Sequence, residues 1–356
     1  MATPSPRPGI LDIAPYKPGL APRAAFNLAS NESALGASKK AIDAYGAAAR
    51  SIHLYPDGSS SALRTRIGEV YGLDPQRIIC GAGSDELLQL LCRAYAGAGD
   101  TIVQSEHGFL VYALAAKACG AGVRSAPERN LTADVDAMRA LIESATRIVF
   151  IANPNNPTGT YVSDREIRRL RDGLREDVLL VVDSAYAEYM EEDDYDAGAA
   201  LVEESDNVVM TRTFSKIYGL AGLRLGWAFC PAAVADVLNR IRGPFNVGAP
   251  AQAAALAALD DQDFVARNRE HNRGERDRMA QQLGGLGLEF TPSFANFILV
   301  RIPEGRAAPV RRALEAGGVL VRDMAAYRLP DHLRISIGST EANRRAIELL
   351  ERNLHG

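Results

Sequence analysis

Lysine is scarce in this chain. Only Lys17, Lys39, Lys40, Lys117 and Lys216 stand against thirty-five arginines in 356 residues. Cysteine is sparse too, and Cys80, Cys92, Cys119 and Cys230 show neither CxxC nor zinc-ligand spacing. That argues against a disulfide framework or a structural metal and leaves reduced packing residues. There is no basic excess: the net charge of -4 lacks the footprint that nucleic-acid binding requires. No apolar run approaches membrane-spanning length, and the Pro-rich start lacks a hydrophobic signal core. A soluble, cytoplasmic protein is expected.

What is present is apolar residue in quantity. At 47% hydrophobic, the chain can bury a large core and is expected to divide into two lobes. Residues 1–30 carry many prolines and little periodicity, as an extended arm would. Strand-like and helix-like stretches then alternate. "RIIC" (77–80) precedes a helix from Ser84 with Leu87, Leu88, Leu90 and Leu91 as its apolar face, and "TIVQ" (101–104) precedes "FLVYALAAKACG". "RIVFIA" (147–152) runs into a Pro-rich turn. Ser163 and Glu166 then have capping-box spacing ahead of a helix burying Ile167, Leu170 and Leu174. "VLLVVD" (178–183) and "NVVMT" (207–211) complete the series. Strands apolar throughout and joined by amphipathic helices predict an α/β sheet covered on both faces. The shift at "RGPFNVGAP" (242–250) is read as a hinge into a C-terminal lobe carrying the strands "FILVRI", "GVLVR" and "LRISIG". The Arg-rich runs "REIRRLRDGLRE" and "RNREHNRGERDR" read as solvated helix faces, and Glu191 to Asp194 as an exposed loop.

Ligands of open α/β sheets collect beyond the carboxyl ends of the strands. "GAGSDE" follows the strand at 77–80, and "NPNNPTG" follows 147–152. Strand 178–183 ends in Asp183 with Tyr186 three residues on, and Thr213, Ser215 and Lys216 follow 207–211. Singly, each has an ordinary explanation. "GAGSDE" lacks GK[ST] and has Glu86 where a dinucleotide fingerprint needs glycine, so alone it is a strand-to-helix turn. Asn156 alone is a turn residue, and Asp183 alone a cap or ion-pair partner. Lys216 alone is a surface charge. An arginine would have supplied charge equally well there, but only a lysine can shed its proton and become a nucleophile.

Jointly the groups match one cofactor. Pyridoxal phosphate needs an amine, an anion beside its pyridine nitrogen, donors for its ring oxygen and a phosphate cradle. Lys216, Asp183, Asn156 with Tyr186, and Ser84 with Ser215 and Arg224 supply these in turn.

From about Tyr16 to Gly338 the chain resembles the fold-type I pyridoxal-phosphate aminotransferases, and among them the histidinol-phosphate aminotransferase family. The resemblance is carried by "NLASNESALG", "YPDG", "GAGSDELL", "NPNNPTG", "DSAYAEY", "TFSKIYGLAGLRLGW", "SFANFILVR" and "LRISIG". It implies a large cofactor-binding domain over 27–248, with a mostly parallel mixed sheet sandwiched by helices. An N-terminal arm (1–26) and residues 249–356 would form a smaller α+β domain. It further implies that Lys216 holds the cofactor covalently and then serves as acid and base, while Asp183 keeps the pyridine nitrogen protonated. Asn156 and Tyr186 would bond the ring hydroxyl, and Phe109 would stack on the ring. The N–H groups of Ser84 and Asp85, with Ser215 and Arg224, would hold the phosphate. Tyr55 would reach it from the neighbouring subunit of a homodimer. Arg334 and Arg322 match arginines that clamp the anionic substrate group, and Tyr16 and Asn31 match pocket-lining positions. The implied reaction takes histidinol phosphate and 2-oxoglutarate to imidazole-acetol phosphate and glutamate in histidine biosynthesis.

One departure concerns specificity rather than cofactor binding: Ser33-Ala34 stand where relatives carry Asn-Pro. The competing readings are an aromatic amino-acid aminotransferase, a decarboxylase or lyase of the same fold, a nucleotide-binding module using "GAGSDE", and an inactive regulator that keeps the fold.

Overall fold

The computed structural model describes residues 6–7, 9–13 and 25–355. Its strands are β1 (Phe26–Leu28), β2 (Ile78–Gly81), β3 (Thr101–Ser105), β4 (Gly122–Ala126), β5 (Glu128–Arg129) and β6 (Thr132–Ala133). Then come β7 (Thr146–Ala152), β8 (Leu179–Asp183), β9 (Val208–Thr213) and β10 (Gly226–Phe229). The last third adds β11 (Phe297–Arg301), β12 (Val319–Asp323) and β13 (His332–Ser336).

Seven strands form the large sheet in the order β2-β10-β9-β8-β7-β3-β4. All neighbours run parallel except β10, which is antiparallel to both β2 and β9. Successive side chains of a strand face opposite ways, and here both faces are apolar. Val149, Ile151, Leu180 and Val182 enter one core, whereas Ile148, Phe150, Leu179 and Val181 enter the other. Continuous apolar strands are what a sheet covered by helices on both faces requires. The fold is the α/β architecture expected, a mostly parallel mixed sheet with a smaller α+β unit beside it.

The smaller sheet has the order β1-β12-β13-β11 and its own core around Leu28, Ile298, Val321 and Ile335. Its edge strand β1 comes from the chain's start and pairs parallel with β12, so residues 26–28 sit with the small unit and the large unit begins after them. The Ala-rich helix Ala249–Leu259 packs in the core that holds Val149 and Leu180 of the large sheet, and Val265 joins it there, while Met279 and Leu283 enter the core of the small sheet. The crossover therefore falls within the long helix Gln262–Gly285. The composition shift at 242–250 precedes that crossover.

Two local expectations resolve differently. The helix Asp164–Asp172 buries Ile167 and Leu170 as its periodicity requires, but Ser163 makes no side-chain cap and Glu166 turns to Arg169 at 2.7 Å instead. A charged partner one turn on outcompetes the neutral backbone N–H. Residues 191–194 are exposed, as the acidic run suggested.

Candidate active site

Strand register builds the centre. In the parallel pair β8–β9, Asp183 lies opposite Thr211, and across β7–β8 it lies opposite Ala152. Asp183 is 4% exposed, although a carboxylate is costly to bury. Tyr112 donates to its Oδ2 at 2.7 Å and Thr211 to its Oδ1 at 3.1 Å. Burial pushes the carboxyl up to about 6, against the pull of those two hydrogen bonds. Both donors are neutral hydroxyls.

Lys216 follows β9 on a tight turn. Its Nζ donates to the Ser30 carbonyl at 3.3 Å and lies 5.8 Å from the centre of the Tyr186 ring. Desolvation and then the charge of Arg334 bring the amine down to about 8, so a sizeable neutral fraction exists near neutral pH. Tyr186 accepts a 3.0 Å hydrogen bond from Asn31 Nδ2, and burial pushes its phenol to about 12. Asn156 Oδ1 accepts from Arg334, which also donates to the Ala29 carbonyl at 2.8 Å.

The turn after β2 makes a second pole. Gly83 has φ +84°, and a Cβ there would lie 2.6 Å from Nη2 of Arg224, so only glycine fits. The twelve-residue helix Ser84–Tyr95 starts with no side-chain cap, which leaves N–H groups at its first turn for an anion. Glu86, the residue that spoiled the dinucleotide fingerprint, is a brace. Its carboxylate accepts from Ala82 N at 2.6 Å and Asn246 Nδ2 at 2.8 Å. Arg224 reaches the same turn and pairs with Asp85 at 3.2 Å, while Thr213 Oγ1 accepts from Ser215 N at 3.0 Å.

These groups open on one cavity of about 590 Å³. Ser84, Asp85, Phe109, Asn156, Asp183, Tyr186, Ser215, Lys216 and Arg224 line it, as do Asn31, Arg322 and Arg334. Tyr55 does not line it in its own chain. It is 83% exposed and stacks on Phe245 with ring centres 4.6 Å apart. Tyr16 lies outside the described residues. Sequence reasoning missed Tyr112 and Thr211. Thr211 had a weak signal, the first polar residue after the apolar run 208–210; Tyr112 had one in its position a helical turn beyond Phe109.

The donor set suits pyridoxal phosphate. A carboxylate buried against neutral hydroxyls suits a protonated ring nitrogen, a depressed amine suits its aldehyde, and the capless helix start with Arg224 suits its phosphate. Among the described residues no His, Cys, Asp and Glu group could hold a metal ion, and no helix is long and apolar enough to cross a membrane.

Residues 23–350 match the family described as aminotransferase class I and II. The chain is 52% identical to histidinol-phosphate aminotransferase of Paramagnetospirillum magneticum, covering 99% of each chain, and 53% identical to that of Maricaulis maris, covering 97% of each. Among solved structures, it is similar to the histidinol-phosphate aminotransferase from Sinorhizobium meliloti in complex with pyridoxal-5'-phosphate. That match has a TM-score of 0.91 at 27% identity, with coverage of 99% of this chain and 98% of that one. The chain belongs to the aminotransferase class I and II family and, within it, to the histidinol-phosphate aminotransferases.

Proposed function

We propose that the protein is a pyridoxal-phosphate-dependent transaminase that takes the amino group of histidinol phosphate to 2-oxoglutarate, giving imidazole-acetol phosphate and glutamate in histidine biosynthesis. The observation that carries the reading is the gathering of Lys216, Asp183, Arg322 and Arg334 around one cavity.

Bound there, pyridoxal phosphate supplies an electron sink that stores the amino group between two half-reactions. The first-turn N–H groups of Ser84 and Asp85, with Ser215 and Arg224, hold its phosphate. Asp183, buried and oriented by Tyr112 and Thr211, holds a proton on the ring nitrogen. Asn156 and Tyr186 would bond the ring oxygen, and Phe109, which lines the same cavity, would pack against the ring. Lys216 Nζ would hold the cofactor, and its lowered pKa suits it to move the proton at the amino-bearing carbon of the substrate. Arg334 is held to a fixed direction by Asn156 and Ala29, so it presents a planar fork to the substrate anion. Arg322 adds a second cation to the same wall. Asn31, its amide engaged by Tyr186 and Ser336, shapes that wall.

The reading extends to a cytoplasmic homodimer in which Tyr55 reaches the phosphate of the partner's site. The exposed apolar side chains of Ile42, Tyr45, Ile52, Leu54, Tyr55 and Phe245, with Tyr55 stacked on Phe245, support this. The test is a steady-state comparison of histidinol phosphate with phenylalanine as amino donor, with 2-oxoglutarate as acceptor. Higher kcat/KM on histidinol phosphate is expected; a preference for phenylalanine would point to an aromatic amino-acid aminotransferase.

A further inference from the structure

Alternate residues of a strand share a face, so Arg334 and Ser336 of β13 project to the same side. Arg334 reaches Asn156; Ser336 reaches Asn31. The hydroxyl of Ser336 accepts from the backbone N–H of Asn31 at 2.8 Å and donates to Asn31 Oδ1 at 3.0 Å. Asn31 Nδ2 in turn donates to the Tyr186 hydroxyl at 3.0 Å. Asn31, Ser336 and Tyr186 are all buried, and Asn31 sits at φ +55°, its carbonyl held by Asn296 Nδ2 at 3.0 Å.

The chain of bonds has a direction. The backbone N–H of Asn31 can only donate, so Ser336 Oγ must accept it, and its own proton is then given to Oδ1. That fixes which end of the Asn31 amide faces Tyr186. Turned over, the amide would leave the Ser336 proton without this acceptor in a buried setting, a cost comparable to a lost hydrogen bond. With Nδ2 toward Tyr186, the phenol is an acceptor on that side, and its own proton points elsewhere. Tyr186 lines the cavity.

We propose that Ser336 is a positioning residue that sets the polarity of Tyr186: by occupying Asn31 Oδ1 it makes Asn31 a donor, which commits the phenolic proton to the cavity and to the anionic ring oxygen of the cofactor. This rests on the reading that the cavity binds pyridoxal phosphate through Lys216. A hydrogen bond to the charged form of a group favours that form, so the phenol lowers the pH at which the bound cofactor loses its proton. Removing Ser336 frees the amide to turn, the phenol then donates to Oδ1, and that pH rises. Charged or titratable groups acting on Tyr186 include Lys216, Arg334, Tyr327, Asp183, Tyr112 and Tyr189; Ser336→Ala and Ser336→Thr leave all of them in place, whereas Asn31→Asp adds a carboxyl beside the phenol.

The experiment is a pH titration of visible absorbance in the cofactor-loaded wild type, Ser336→Ala, Ser336→Thr and Asn31→Asp. Alongside it, the phenol-carbon NMR signal of Tyr186 is followed in protein labelled at tyrosine Cζ and assigned with Tyr186→Phe. The Ser336→Ala midpoint should rise by roughly half to one unit, the equivalent of about one hydrogen bond, and the Tyr186 signal should move. Ser336→Thr, which keeps the hydroxyl, should stay near wild type. Asn31→Asp, whose ionised carboxylate offers only acceptors and whose charge itself favours the protonated cofactor, is read from the Tyr186 signal, which should move even if Ser336→Ala does not load. An unchanged midpoint and an unchanged Tyr186 signal in Ser336→Ala, or an unchanged signal in Asn31→Asp should Ser336→Ala not load, would overturn the proposal. A wild type lacking any visible band that Lys216→Ala abolishes would instead overturn the cofactor reading beneath it.

Discussion

Tyr112 donates a 2.7 Å hydrogen bond to Asp183 from a residue 71 positions away, with its ring stacked on Phe150 at 4.6 Å. The contact fixes the carboxylate proposed to face the cofactor's ring nitrogen. A bond to the ionised form holds the pKa down, so Tyr112→Phe should lift Asp183 above its value of about 6. Cofactor affinity in Tyr112→Phe should therefore weaken about ten-fold, most severely at the acid end. Equilibrium titration of the cofactor-free protein with pyridoxal phosphate at pH 6 and pH 8 checks this; an equal loss at both would show that only packing had changed.

Asp183→Ala removes the anion altogether. A group aimed at developing charge in a dry site is worth about 3 to 4 kcal/mol, so kcat should fall by a factor on the order of a few hundred. Single-turnover kinetics separates this from weakened cofactor binding, and near-normal turnover would contradict the role given to Asp183.

Lys216→Ala should abolish turnover with the circular-dichroism spectrum unchanged. Borohydride reduction of the loaded wild type should fix the cofactor on the peptide containing Lys216. Recovery of the label on Lys39, Lys40 or Lys117 would remove Lys216 from its place.

The lowered pKa of Lys216 carries its own test. An amine is nucleophilic only when neutral, so acylation of Lys216 in cofactor-free protein should rise with pH around a midpoint of about 8. A free lysine peptide in the same mixture should instead show the reference midpoint of about 10.4. Because the charge of Arg334 contributes to the depression, Arg334→Gln should move the Lys216 midpoint upward. Peptide mass spectrometry across pH 6 to 11 reads both.

The exposed apolar side chains of Ile52, Tyr55 and Phe245 predict a concentration-dependent assembly. Ile52→Glu should shift sedimentation toward the monomer and, by taking Tyr55 from the opposite site, weaken pyridoxal phosphate binding. A stable dimer in this variant would place the interface elsewhere.

Much of the large sheet was legible because both of its faces are apolar, so its strands read as short continuous runs. Asp183, Lys216 and "GAGSDE" were legible because a polar group ending such a run has few reasons to be there. What joins those groups was not. Tyr112 reaches Asp183 across the helix–sheet interface, and Ser336 reaches Asn31 over 305 positions; neither contact leaves a local pattern. The domain crossover was hidden for a similar reason. Alanines of the helix Ala249–Leu259 announce close packing without saying which core they pack into. The cap at Ser163 failed because spacing alone does not reveal that Arg169 would claim Glu166.

The pairing of β1 with β12 has a mechanical consequence. The small sheet takes its edge from the chain's start, so the segment after β1, which bears Ala29, Ser30 and Asn31, is anchored to the strands that bear Arg322 and Arg334. Asp183 ends a strand of the other sheet, and Lys216 sits on the turn that follows β9 of that sheet. The cavity is thus a seam between two half-sites on separate scaffolds, and any rocking of one against the other carries Arg322, Arg334 and the Asn31 wall as a unit. Opening and closing then change the width of the seam without scrambling either half.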